Sequence, residues 1–195
     1  MTADDVIDEF KSTGALLEGH FILSSGLHSA MYLQCAIALQ SPAVAEKFGA
    51  AIAQQFRNDT IETVASPAIG GLIIGYEVAR HLGARFIWTE REAGRMILRR
   101  GFSARAGERV LVVEDVITTG GSTRDTIEAL CSAGANVVAA ASIIDRSGGK
   151  ADVGVPLFAL ATLEVPAVSP DNCDACRRGE SATKPGSRQA MPTRR

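Results

Sequence analysis

The chain lacks a surplus of either charge. Twenty lysines and arginines stand against 22 aspartates and glutamates, for a formal net charge of −2. A balance this even gives no general electrostatic footprint for nucleic acid. There is no uninterrupted apolar run of about 18 residues, the length a membrane-spanning helix needs. No membrane span is therefore expected. The opening, MTADDVIDEF, is acidic and lacks the basic start of a signal peptide, so the cytoplasm is the expected compartment. Aromatics are few, with 1 Trp, 2 Tyr and 7 Phe in 195 residues. The 46% hydrophobic content is ample for a buried core and is mostly aliphatic. Lysine is nearly absent, confined to Lys11, Lys47, Lys150 and Lys184. Arginine dominates instead, and Arg91, Arg95, Arg99 and Arg100 cluster. Its planar fork suits phosphates and carboxylates, although a solvated basic face is the plainer reading.

Cysteine occurs at 4 positions. Cys35 and Cys131 are isolated and read as inert thiols in or near the core. Cys173 and Cys176 form a CxxC pair, which is half of a four-ligand zinc site. No second pair and no suitably spaced histidine follows it. Metal shared between subunits, a redox pair and a simple turn in the tail all remain open, the turn being favoured. His20, His28 and His81 are assigned no catalytic role.

The length fits one domain. Residues 4–17 read as an amphipathic helix, with Val6, Ile7, Phe10 and Leu17 roughly on one side. Residues 19–40 read as short extended pieces broken by Gly19 and Gly26. Ser41-Pro42 is a helix start, and that helix is expected to run to about Arg57. Strands then alternate with helices. Strands are expected at 61–66, 84–89, 110–114, 136–144 and 157–161, with helices at 71–82 and 122–133. A short strand at 96–98 is expected outside the main sheet, after a polar excursion at 90–95. This order indicates an α/β domain with a central, mostly parallel sheet flanked by helices. Residues 169–195 read as a weakly packed tail.

The most informative segment is RVLVVEDVITTGGST, residues 109–123. The apolar run Val110–Val113 delivers Glu114 and Asp115, and the turn Thr118-Thr119-Gly120-Gly121-Ser122-Thr123 follows. A buried strand ending in two acids and a phosphate-sized loop suits a phosphorylated, hydroxylated ligand. Backbone N–H groups and the next helix's N-terminus attract the phosphate. The acids can hold ribose hydroxyls, directly or through Mg²⁺. No lysine follows the glycines, so this is not a nucleotide P-loop. The glycines follow the acids, so it is not the dinucleotide fingerprint either.

The pattern of four apolar residues, two acids, two apolar residues and a Thr/Gly-rich turn resembles the phosphoribosyl-pyrophosphate (PRPP) motif of the type I phosphoribosyltransferases. Four more segments resemble the orotate-using branch of that family over nearly the whole chain. In HFILSSGLHSAMYLQ, residues 20–34, Phe21, Ser25, Gly26 and Ser29 fit. Ser24 stands where many members carry a lysine, and Tyr32 and Leu33 stand where the family places aromatics beside orotate. In ASPAIGGLIIG, residues 65–75, the loop 67–71 can turn its amides toward a pyrophosphate. TEREAGRMILRRGF, residues 89–102, resembles the mobile loop that closes the site and reaches the partner subunit. There Arg91 best fits the first lysine and Arg95 is a looser substitute, with no equivalent of the family's histidine. In IIDRSGG, residues 143–149, Arg146 matches the arginine that faces orotate; a local ion pair with Asp145 is its plainer role.

The resemblance implies a type I phosphoribosyltransferase-like fold with a small N-terminal hood. It implies a domain over 1–168, with 1–40 contributing to the hood and base site, and a tail over 169–195. It also implies Mg²⁺-dependent transfer of phosphoribosyl from PRPP to orotate, giving orotidine 5′-phosphate and pyrophosphate in UMP synthesis. Glu114, Asp115, Arg91 and Arg95 would be catalytic. Ser24, Tyr32, Leu33, Thr118 and Arg146 would bind orotate. PRPP would be held by Ala68, Ile69, Gly70, Gly71, Arg91, Arg95, Glu114, Asp115, Val116, Ile117, Thr118, Thr119, Gly120, Gly121, Ser122 and Thr123. Mg²⁺ would be carried mainly by PRPP and water, with no protein cage. The expected partner is a second copy of the chain, forming a homodimer with shared active sites. Two other functions remain: transfer to a purine or another base, and PRPP binding without turnover. The chain is too short for a fused decarboxylase domain, so decarboxylation is expected elsewhere.

Overall fold

The structure is a computed structural model, and residues 1–23 and 26–185 are described. It contains two compact units. The first comprises Met1–Ala15 and Gln34–Glu164; the second comprises Leu16–Leu33 and the chain from Val165 on.

The first unit opens with helix α1 (Ala3–Ser12), started by a capping box between Thr2 and Asp5. The helix stops earlier than its apolar spacing suggests. The Thr13 hydroxyl bonds back to the Glu9 carbonyl at 2.8 Å, and Gly14 turns the chain at φ 72°. Leu17 therefore leaves for a strand. A short helix, α2 (Cys35–Leu39), replaces the extended backbone expected there. Helix α3 (Pro42–Gln55) starts where Ser41-Pro42 indicated, with proline in the first turn, although the Ser41 hydroxyl makes no cap bond. It buries Val44, Phe48 and Ile52, spaced one helical turn apart.

Strands β3 (Thr63–Pro67), β4 (Arg85–Glu92), β5 (Arg95–Leu98), β6 (Arg109–Ile117), β7 (Asn136–Asp145) and β8 (Leu157–Thr162) form one sheet in the order β5-β4-β3-β6-β7-β8. All neighbours are parallel except β4 and β5. Helices α4 (Leu72–Leu82) and α5 (Gly121–Ser132) complete the crossovers. The central strands carry the core: Val110 to Val113 and Ala140, Ala141, Ile143 and Ile144 are almost wholly inaccessible. That is why these runs are continuously apolar rather than alternating. Helix α4 approaches α3 through Gly49, where a Cβ would lie 2.5 Å from the Cβ of Glu77.

The segment after Thr89 differs most from expectation. The polar stretch is a hairpin, and β5 belongs to the main sheet as its edge, pairing Glu92 with Arg95. The turn is Ala93-Gly94, with φ of 48° and 84°. Two positive φ values are the signature of a tight hairpin turn that matches strand twist.

The second unit holds strands β1 (Leu16–Ile22) and β2 (His28–Leu33), antiparallel with an irregularity between Glu18 and Phe21. A 3₁₀ turn (Pro170–Asn172) and helix α6 (Asp174–Arg177) lie in the later segment. The described part of that segment is mostly exposed but tied to the hairpin by backbone bonds. His28 and Val168 exchange backbone bonds at 2.8 and 2.9 Å, and Thr183 pairs with His20 and Ile22.

Candidate active site

The two acids sit near the carboxyl end of β6, where a parallel sheet offers its ligand crevice. Glu114 is buried and Asp115 partly so. Burial, then the neighbouring Asp115 charge and its hydrogen bond, push Glu114 up to about 9. Asp115 is also raised, by burial, against the lowering effect of bonds from the Val116 N–H, Glu114 and the Cys35 thiol. In the ligand-free chain Glu114 is thus a protonated donor to Asp115. Cys35, which its isolation made look inert, lies against this pair, and its thiol is held well above its ordinary value by burial and the Asp115 charge.

The acids are faced by the loop 67–71. A Cβ on Gly70 would meet Asp115 Oδ1 at 2.7 Å, and one on Gly71 would meet the Val113 carbonyl at 2.8 Å. Both positions require glycine for close approach rather than for dihedral freedom. The loop is anchored by the Ala68 N–H on the Thr89 carbonyl at 2.9 Å. The Thr89 hydroxyl in turn meets that of Thr126 at 2.8 Å. Ala68 is half-buried and Ile69 is 82% exposed.

Beyond the acids, a cavity of about 160 Å³ is lined by Glu114, Val116, Ile117 and the turn Thr118–Thr123. Gly120 is the N-cap of α5 at φ 75°, and no side chain caps the helix. The first-turn N–H groups are left for a ligand, and the helix dipole favours an anion there. Thr123 is buried while Thr118, Thr119 and Ser122 are accessible.

Arg146 follows β7, and its N–H donates to the Ile117 carbonyl at 2.7 Å. It does not pair with Asp145. That carboxylate accepts from the Ser147 and Gly149 N–H groups instead, at 2.7 and 3.0 Å. Arg146 Nε is buried without a partner, as is the Ser66 hydroxyl in β3. An unpaired guanidinium N–H is costly unless a ligand satisfies it.

The Phosphoribosyl transferase domain family model matches residues 37–156. An orotate phosphoribosyltransferase of Caldicellulosiruptor bescii is 54% identical over 189 residues, covering 97% of this chain and 100% of that protein. Another, of Desulforamulus reducens, is 52% identical over 189 residues, covering 97% and 99%. The crystal structure of orotate phosphoribosyltransferase from Aeropyrum pernix is 30% identical, with a TM-score of 0.66 over 82% of this chain and 94% of that one. The chain belongs to the orotate phosphoribosyltransferases, within the type I family.

The matched region takes in every element from α3 to β7, so the acids, both glycine loops and Arg146 lie inside it. Arg91, on β4, donates to the Gly94 carbonyl at 2.8 Å and to Asp125 of α5 at 2.9 Å. Both members of that ion pair are more than two-fifths exposed, so the pair is weak and exchangeable. Arg95 is exposed on β5. In the second unit, Tyr32 is half-buried with its ring 5.8 Å from that of Phe21, and Leu33 is buried opposite Leu16. Ser24 lies outside the described residues. Among the described residues no helix is long and apolar enough to cross a membrane.

Proposed function

We infer that the chain transfers the phosphoribosyl group of PRPP to orotate, forming orotidine 5′-phosphate and pyrophosphate. The observation that carries this reading is the joint presence of an unpartnered, buried Arg146 Nε just past the end of β7 and the two acids on the adjoining parallel strand β6. A guanidinium offers a planar fork to a carboxylate, and orotate bears one.

On this reading the 5′-phosphate occupies the cavity over the uncapped start of α5, held by Thr118 to Thr123. The pyrophosphate is met by the loop 67–71. Glu114 and Asp115 hold the ribose hydroxyls and face the positive charge that grows at the anomeric carbon as pyrophosphate leaves. Orotate attacks through a ring nitrogen and is already anionic, so no strong base is required of the protein. Arg91 and Arg95 neutralise charge on the leaving pyrophosphate. Arginine cannot give up a proton at ordinary pH, so their contribution is electrostatic. Catalysis is then mostly positioning and charge stabilisation.

Mg²⁺ fits this site. Two oxygen-donor carboxylates, both pushed upward by burial, suit a hard cation that keeps water and substrate oxygens in its shell. When bound with PRPP it supplies charge neutralisation and orientation. Glu114 and Asp115 are the residues that would stand beside it.

A second copy is the proposed partner. Ile69, Ile73 and Tyr76 are exposed at 82%, 47% and 58%. Tyr76 and Ile73 line an open apolar hollow with Phe86, Trp88 and Phe102. Contiguous apolar surface of this kind marks an interface.

Initial rates with orotate, hypoxanthine, guanine and adenine, each with PRPP and with or without Mg²⁺, test the assignment. Orotate turnover that needs Mg²⁺ is expected. Preference for a purine would overturn the substrate, and PRPP binding without turnover of any base would overturn the activity.

A further inference from the structure

We propose that His20, His28, Cys173 and Cys176 form a structural zinc site within the second unit. One ligand atom from each lies within 4.8 Å of every other. Nε2 of His20 is 2.8 Å from Nδ1 of His28, 3.3 Å from Sγ of Cys173 and 3.6 Å from Sγ of Cys176. Sγ of Cys176 is 3.2 Å from Nδ1 of His28. Zinc bonds of about 2.0–2.1 Å to nitrogen and about 2.3 Å to sulfur give tetrahedral edges of roughly 3.3 Å between nitrogens and roughly 3.6 Å from nitrogen to sulfur. The four spacings given equal or fall slightly below those of such a shell, and no pair of ligand atoms is more than 4.8 Å apart.

Hydrogen bonding alone does not account for the cluster. Nδ1 of His20 lies 3.0 Å from the Glu180 carbonyl oxygen. A carbonyl only accepts, so Nδ1 carries the proton and Nε2 presents a lone pair. One lone pair cannot serve three surrounding polar atoms. A cation at their common point satisfies all of them, and the Glu180 contact is then the outer bond that fixes a ligating imidazole. Two thiolates neutralise the two charges of zinc, which suits burial, and both thiol protons are released on binding. His20, His28 and Cys173 are each less than one-tenth exposed. Four protein ligands leave no open position, so the site is structural rather than catalytic.

The unit has a reason to need it. Its buried apolar side chains are only Leu16, Phe21, Leu33 and Cys173 among the described residues, a core too small to hold two distant chain segments without a staple. The CxxC turn looked incomplete because its partners were sought after it. They precede it, and His28 and Cys176 are 148 positions apart in the sequence.

The test uses the full chain without a histidine tag. Metal content after gel filtration should be one zinc per chain, falling by at least about tenfold in Cys173→Ser with Cys176→Ser. That variant can lose the hairpin altogether, so the wild type supplies the second measurement. Cobalt replacing zinc should show the intense visible bands of a tetrahedral site and a thiolate charge-transfer band. A strong chelator should lower Tm and expose two further reactive thiols. Zinc retained in the double variant, iron in place of zinc, a Cys173–Cys176 disulfide, or no metal above background with both thiols reactive at once would each overturn the proposal.

Discussion

Gly70 and Asp115 approach so closely that a Cβ on the glycine would stand 2.7 Å from the Oδ1 of the acid. The loop 67–71 and the two acids are therefore one fitted surface. Gly70→Ala must displace one against the other. A misplacement of about 1 Å is worth about 100-fold in rate, so kcat/KM for PRPP should fall on that scale while Tm moves little. Unchanged kinetics in a folded variant would show that the close approach is not used.

Arg146→Ala is expected to damage orotate use far more than PRPP binding. Its Nε is already buried and unpaired, so no hydrogen bond at that atom is lost in the free chain. The bound orotate carboxylate would lose its fork, a cost of about 2–4 kcal/mol for a desolvated charged contact. Separate titrations of the two ligands decide this. Equal weakening of both would point to collapse of the end of β7.

Glu114 makes the site pH-sensitive. Its carboxyl is near 4.5 when unfolded and about 9 when folded. Between those values the folded chain holds a proton that the unfolded chain lacks, so this stabilisation is full below 4.5 and drains as pH rises through 9. Glu114→Gln should flatten the fall in Tm on the alkaline side. Ribose hydroxyls and a nearby cation favour the ionised form, so Mg²⁺–PRPP binding at about pH 8 should release protons. Calorimetry in buffers of different ionisation enthalpy measures this release, which should shrink in Glu114→Gln. Proton uptake would contradict the assignment.

The legible parts of the fold were those where one run of residues carries two signals. Val110–Val113 reads as a buried strand, and that strand is found where the pattern put it, with the acids near its carboxyl end and the Thr/Gly turn behind it. The hairpin after Thr89 was not legible. Glu90, Arg91 and Glu92 look like a loop, but an edge strand tolerates charge on both faces. Glu90 meets Arg100, and Arg91 meets Asp125. The turn gave no warning either, because Ala93 occupies a left-handed position that usually calls for asparagine, aspartate or glycine. Helix α1 was overextended because Leu17 continues its apolar spacing by accident. The unpaired Arg146 Nε and the histidine–cysteine cluster depend on long-range closure, which no local pattern encodes.

At the amino end of the sheet, Glu108 gathers bonds from Thr63, Arg85 and Arg105. Burial alone would raise its carboxyl. The Thr63 hydroxyl at 2.6 Å, the Arg105 N–H at 2.7 Å and the charges of Arg85 and Arg105 outweigh that and hold it below the ordinary value. Its stabilisation is present above about pH 4.5 and is lost as pH falls through the lowered value. Thr63→Val keeps the shape but removes one donor from a buried carboxylate and the acceptor of the Arg85 Nε–H, which together should cost about 1–3 kcal/mol. Urea unfolding at neutral pH checks the size. The difference from wild type should shrink at about pH 3, where the acid is protonated in both; a pH-independent loss would mean that packing, not the bond, was removed.

The last expectation concerns the proposed homodimer and the arginine hairpin. In the isolated chain Arg91 rests on Asp125 of its own α5, and both side chains are more than two-fifths exposed. Such a pair is worth at most about 1 kcal/mol, so a pyrophosphate can take the guanidinium from it. The exposed Ile73 and Tyr76 line an apolar hollow with Phe86, Trp88 and Phe102. If the hairpin serves the neighbouring subunit, two inactive variants should rescue each other. One carries Asp115→Ala, which spoils the PRPP site; the other carries Arg91→Ala with Arg95→Ala, which spoils the hairpin. A hybrid dimer then has one composite site with intact acids from one chain and intact arginines from the other. Activity should return toward about one-quarter of wild type on random exchange, since half the dimers are hybrids and each has one good site. Confirmed hybrids with no recovered activity would mean that each hairpin serves its own chain.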